Sequence, residues 1–105
     1  MADISAIIAP VSVANTPAIV TSAGTAIAAN PARGGWMIQN VDTDPLFVLF
    51  GTGASTTVFH AILKGGSVAD DGLGASISQM GGTVYTGIIT VAGTTPRFVV
   101  TEFTK

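Results

Sequence analysis

Between residues 36 and 103 short apolar runs alternate with breaks rich in glycine, aspartate and proline. This spacing predicts β-strands joined by tight turns. The first expected strand covers 36–41 and stops at Asp42, Thr43, Asp44 and Pro45, where aspartate side chains can bond nearby amides and proline presets φ. Leu46–Phe50 is apolar without interruption, the mark of a strand buried on both faces or central in its sheet. After a turn at 51–55, a strand over 57–63 sets Val58, His60 and Ile62 on one face and Phe59, Ala61 and Leu63 on the other. A brief pairing at 67–69, a polar loop at 70–74 and a strand at 76–79 follow. Gly81 and Gly82 then lead into a strand over 83–91, in which Gly87 marks a bulge or a close backbone approach. A turn over 92–96 delivers the last strand, 97–104, where Val99, Thr101 and Phe103 alternate with Phe98, Val100 and Glu102. No segment carries a helical apolar stripe. The expected fold is all-β, a small antiparallel β-sandwich or barrel of jelly-roll-like topology.

Residues 1–32 form a zone of their own, rich in Ala, Ile, Val, Thr and Ser and without an aromatic residue. Pro10 and Pro17 bias Ala9 and Thr16 away from helix, while Val11, Val13, Ile19, Val20 and Ile27 are β-branched. Residues 3–9 fit either one helical turn or a first strand. Too light to build a core, the zone reads as an extended N-terminal arm completed on a neighbouring subunit, or as edge strands of the same domain. The β-sandwich domain itself is expected over 33–105.

Charge sharpens this picture, because only 10% of the residues are charged while 48% are apolar. A free domain of this size exposes much of its surface, and about a quarter of its residues are usually charged. Much of the surface is therefore expected to be covered, with self-association one way of covering it. Four Lys and Arg residues against six Asp and Glu leave a net charge of −2 and no basic stripe, which speaks against nucleic acid as a partner. No apolar run approaches the roughly 18 residues of a membrane helix, so no membrane span is expected. The first charge is Asp3, not a basic leader, and the N-terminus reads as unprocessed. Cysteine is absent, which removes disulfides and thiolate metal ligands.

Candidate chemistry is sparse. His60 is the only histidine, so a histidine-based triad or a two-histidine metal site is hard to build, and no nucleophile stands in a recognisable context. The expectation is a protein that is not an enzyme, with no catalytic residue, metal or cofactor. Asp42 and Asp44, and Asp70, Asp71 and Gly72, have calcium-loop flavour but lack the further oxygen ligands and the distal Glu, so turn formation accounts for them better. The glycine pairs at 34–35, 65–66 and 81–82 lack the strand-to-helix setting of a phosphate loop and read as turns. Trp36 and Tyr85 suit either a sugar-stacking platform or, for Trp36, a core anchor. Arg33, entering the first strong strand from a loop, is the leading contact residue, placed to fork onto a carboxylate of a neighbouring subunit or to remain solvated. Trp36, Asp70, Asp71 and Arg97 complete the expected partner contacts.

The run Asn30-Pro31-Ala32-Arg33-Gly34-Gly35-Trp36-Met37-Ile38-Gln39-Asn40-Val41, continued by Leu46-Phe47-Val48 and 51–55, resembles small structural proteins of tailed-bacteriophage virions. The closing Thr94-Thr95-Pro96-Arg97-Phe98-Val99-Val100-Thr101-Glu102 adds to the resemblance, which leaves the N-terminal arm uncovered. It implies a capsid decoration, or cement, protein: a homo-oligomer, trimeric by preference, made in the host cytoplasm. Such a protein sits on the outer surface of the capsid and bridges subunits of the major capsid protein. The alternative is a head-fibre, tail or carbohydrate-binding host-attachment module.

Overall fold

The computed structural model describes residues 11–105, which form nine strands. They are β1 (Ser12–Val13), β2 (Ile19–Val20), β3 (Gly24–Ile27), β4 (Arg33–Asn40), β5 (Leu46–Phe50), β6 (Ala61–Leu63), β7 (Ser76–Met80), β8 (Ile89–Ala92) and β9 (Phe98–Thr104). One sheet has the order β1-β9-β4-β7, with β2 also paired to β9; the other has the order β3-β8-β5-β6. Every pairing is antiparallel. The two sheets pack face to face as a sandwich and do not close on one another, so the barrel form is not adopted.

Alternation places the core. Trp36 and Ile38 from β4 and Phe98 and Val100 from β9 meet Leu46 and Val48 from β5 and Ile89 and Val91 from β8, with Ile27 and Leu63 at the flanks. Each such burial contributes about 1.5–3 kcal/mol relative to exposure. Trp36 is the largest of these side chains and meets Phe50 edge-on at 5.7 Å, which joins the two sheets across the middle.

The phase of the first sheet's ladder follows from two bonds at its end. The Asn40 amide donates to the Ala75 carbonyl at 2.9 Å, and the Val41 amide to the Arg97 carbonyl at 3.0 Å. In an antiparallel ladder hydrogen-bonded and non-bonded pairs alternate. Even-numbered residues of β4 therefore bond β7, and odd-numbered ones from Gly35 onward bond β9. Opposite β9, β1 and β2 are separated by a break containing Pro17, and the Asn15 side chain fills it. Its Nδ2 donates to the Val100 carbonyl at 2.9 Å and its Oδ1 accepts the Glu102 amide at 2.8 Å, so one side-chain amide stands in for a missing peptide.

Residues 11–27 thus lie along edges of both sheets in their own chain, and the reading of 3–9 as helix or strand falls outside the described residues. Three expected strands are shortened or absent. Residues 57–60 do not pair as a strand because the Ser55 hydroxyl accepts the amides of Thr57 and Val58 and its own amide donates to the Val58 carbonyl. Residues 83–88 are irregular because side chains take the backbone groups a ladder would use: Gln79 Oε1 accepts the Tyr85 amide, and Arg33 donates to the carbonyls of Tyr85 and Gly87. The pairing expected at 67–69 is replaced by a turn wound about Asp71.

Candidate partner-binding face

Arg33 and Trp36, both expected at a partner contact, lie inside the chain's own core at 0% and 2% exposure, Trp36 in the core-anchor role that is its other reading. The reason for Arg33 is a bulge: the β4–β9 register shifts between Arg33 and Gly35, and the extra residue leaves Arg33 between the sheets. There its Nε donates to Glu102 Oε2 at 2.8 Å. Its Nη1 donates to the carbonyls of Tyr85 and Gly87 at 2.8 and 2.9 Å, and its Nη2 to that of Ala28. The carboxylate it finds belongs to its own chain, 69 positions away. A cleft of about 250 Å³ lined by Asn15, Thr16, Val20, Ile27, Val100 and Glu102 opens beside this pair, and its one carboxylate is already committed to Arg33.

Asp70, Asp71 and Arg97 come together at the opposite end, where the loops 41–45, 64–75 and 93–97 gather. Arg97 forks onto Asp70, Nε to Oδ1 at 2.9 Å and Nη2 to Oδ2 at 2.6 Å, and both side chains are partly exposed. Asp71 faces inward to its own loop: Oδ2 accepts the amides of Ser67 and Val68, and Oδ1 that of Leu73. Hydrogen bonds from Val68 and Leu73 hold the Asp71 carboxyl below its ordinary value, and the Arg97 guanidinium does the same for Asp70. A depressed carboxyl contributes stability that is present above its unfolded pKa, about 3.9, and is lost as pH falls through the folded value. The loop is therefore expected to hold down to about pH 4 and to loosen below it. Hydrogen exchange at the Ser67, Val68 and Leu73 amides would report this, and Asp71→Ala should abolish their pH-dependent protection.

His60 has a structural post. Its Nδ1 accepts the Phe50 amide at 3.0 Å and its ring stacks on Phe50 at 5.2 Å. Among the described residues no three His, Asp or Glu side chains group to hold a metal ion. Tyr85 is part-buried, 5.5 Å from Phe50, and its hydroxyl donates to the Ile88 carbonyl, so the pair Trp36 and Tyr85 offers no exposed aromatic platform.

Exposed apolar side chains occur in the loops at Leu73 and Val68, on the second sheet at Ile62, and on the outer face of the first sheet, where Val13, Ile19, Met37 and Met80 are open to solvent while Gly35 is buried and Val99, Thr101 and Phe103 are half-buried. Directly opposed residues share a face, and register gives three rows across the sheet. Met80, Gly35, Phe103 and Val13 form one; Ser78, Met37 and Thr101 the next; Ser76, Gln39, Val99 and Ile19 the third. None of these positions carries a charge. Val13 is 60% exposed and Met80 52%, although an outward face of an antiparallel sheet ordinarily alternates to polar residues. On the second sheet the chain covers part of its own outer face, with Phe59 against Phe47 at 5.1 Å and the Ala54 amide donating to Thr90 Oγ1.

Comparison with protein-family models, with curated proteins and with solved structures finds no match.

The face was partly legible: the alternation at 97–104 sets Val99, Thr101 and Phe103 on one side, opposite Glu102. What the chain alone did not signal was that Met37, Met80, Val13 and Ile19 line up beside them, since that depends on pairings across the sheet.

Proposed function

We propose that this chain is a non-catalytic virion structural protein of the capsid decoration type, which stabilises a phage shell by bridging major capsid subunits on its outer surface. The observation that supports this reading is the charge-free outer face of the first sheet. A face of this composition is matched to burial, because interface cores are depleted of Lys, Glu and Asp, and exposed apolar patches mark contact sites. The strand orders β2-β9-β4-β7 and β3-β8-β5-β6, antiparallel throughout, support a jelly-roll reading of the sandwich. His60, stacked on Phe50 and bonded to its amide, fits a protein without a reaction to perform. Many copies each held by a modest apolar contact gain avidity on a repeating shell, so low affinity per copy suffices.

Met37→Lys tests the reading. Met37 sits in the middle row at 36% exposure, flanked by Ser78 and Thr101, so a lysine there points outward and leaves the core intact. The variant is expected to keep its melting temperature and to lose at least about tenfold in attachment to shells stripped of this protein, from the cost of desolvating one charge. Co-sedimentation with such shells reads the result. Undiminished attachment would remove this face from the contact.

A further inference from the structure

We propose that β7 is a self-pairing edge, along which two copies of this chain join antiparallel over Ser76–Met80 about a twofold axis at Ser78. The inference goes beyond the virion reading and does not rest on it.

A sandwich of two sheets has four edges, and natural β proteins blunt the ones they do not use. Three here are blunted. The edge made by β1 and β2 is broken into two-residue pieces with Pro17 between them. The β3 edge is irregular, its register shifting between Thr25 and Ile27. The β6 edge is three residues long and runs straight into Lys64. The β7 edge has no such device: it is five residues, Ser-Ile-Ser-Gln-Met, uncharged, without proline, and in unbroken register with β4.

The ladder phase states what this edge offers. Ile77 and Gln79 turn their backbone groups to β4, so the amides and carbonyls of Ser76, Ser78 and Met80 point away from the sheet. Among the described residues no loop or turn bonds to them. An edge of this kind takes an extended strand, and self-complementarity selects a second copy. An axis at Ser78 sets Ser78 against Ser78 and Ser76 against Met80, so each outward donor of one copy meets an outward acceptor of the other. The strand has no charge, so none meets its like at the axis, and serine is small enough to face itself. The uncharged outer face then runs on without a break across both copies.

The test is the mass of the protein by itself in sedimentation over a concentration series. Wild type is expected at the mass of two chains. Ser78→Pro should give one chain, with the dimer dissociation constant raised at least about a hundredfold by the lost cross-strand bonds. Proline suits the position because the amide it removes points away from β4. Should that variant fail to fold, Ser78→Lys places two ammonium groups against each other at the axis and is expected to give the same result. Hydrogen exchange adds a local reading: amides 76 and 80 slow in wild type and fast in either variant, amide 78 slow in wild type and fast in Ser78→Lys, 77 and 79 slow in all. A wild type that stays monomeric, a three-chain mass, or a dimer untouched by both variants would overturn the proposal. Capsid attachment is read separately with Met37→Lys, so either reading can fail without the other.

Discussion

Arg33→Met is expected to remove a large share of the stability of the fold. The substitution leaves the mostly buried Glu102 carboxylate, 16% exposed at the cleft, without its partner and orphans the carbonyls of Ala28, Tyr85 and Gly87, all of which Arg33 satisfies. Breaking a buried pair by removing one member costs about 3–5 kcal/mol, against a total stability of about 5–15 kcal/mol for a domain. Chemical denaturation followed by Trp36 fluorescence measures the loss. Adding Glu102→Leu should recover part of it, because the uncompensated charge disappears while the carbonyls stay unpaired. If the single variant lost less than about 0.5 kcal/mol, the pair would be incidental to the fold.

Trp36→Ala is the second large loss, expected at about 3–5 kcal/mol from lost burial and the cavity left behind. Trp36 touches Phe50 across the sandwich, and its Nε1 donates to Gln79 Oε1, which also accepts the Tyr85 amide. Removing the indole therefore loosens both the contact between sheets and the anchor of the irregular 83–88 segment. A circular-dichroism melt is the measurement. Retention of the wild-type melting temperature would mean that the neighbouring side chains collapse into the space at little cost.

Trp36 takes the core-anchor place that the sequence offers for it beside a contact role, whereas Arg33, which the sequence marks as a loop contact or a solvated side chain, is buried, and the reason is instructive. The setting Asn-Pro-Ala-Arg-Gly-Gly has the composition of a solvated loop, and nothing local reveals that a bulge aims Arg33 inward or that Glu102 waits there. A buried charge is recognised by its distant partner. The strands themselves were more open to reading wherever local pattern and tertiary pairing agree: Leu46–Phe50 has the expected bounds, and 76–79 and 97–104 are each within one residue. They fail where side chains compete for the backbone. Ser55 winds 57–60 into a turn, and Arg33 and Gln79 take the carbonyls and amide of 85–87, though the apolar alternation in both stretches is that of a strand.

The side-chain amide of Asn15 closes the row of backbone groups that β9 presents on its far side, bridging the break at Pro17. An open edge on one flank of a sheet lets growth stop at a closed pair. Open edges on both flanks let each added chain recruit another, and the product is a filament. With β7 as the pairing edge proposed above, that single asparagine, seated where the strand is interrupted, would help such assembly end at two chains.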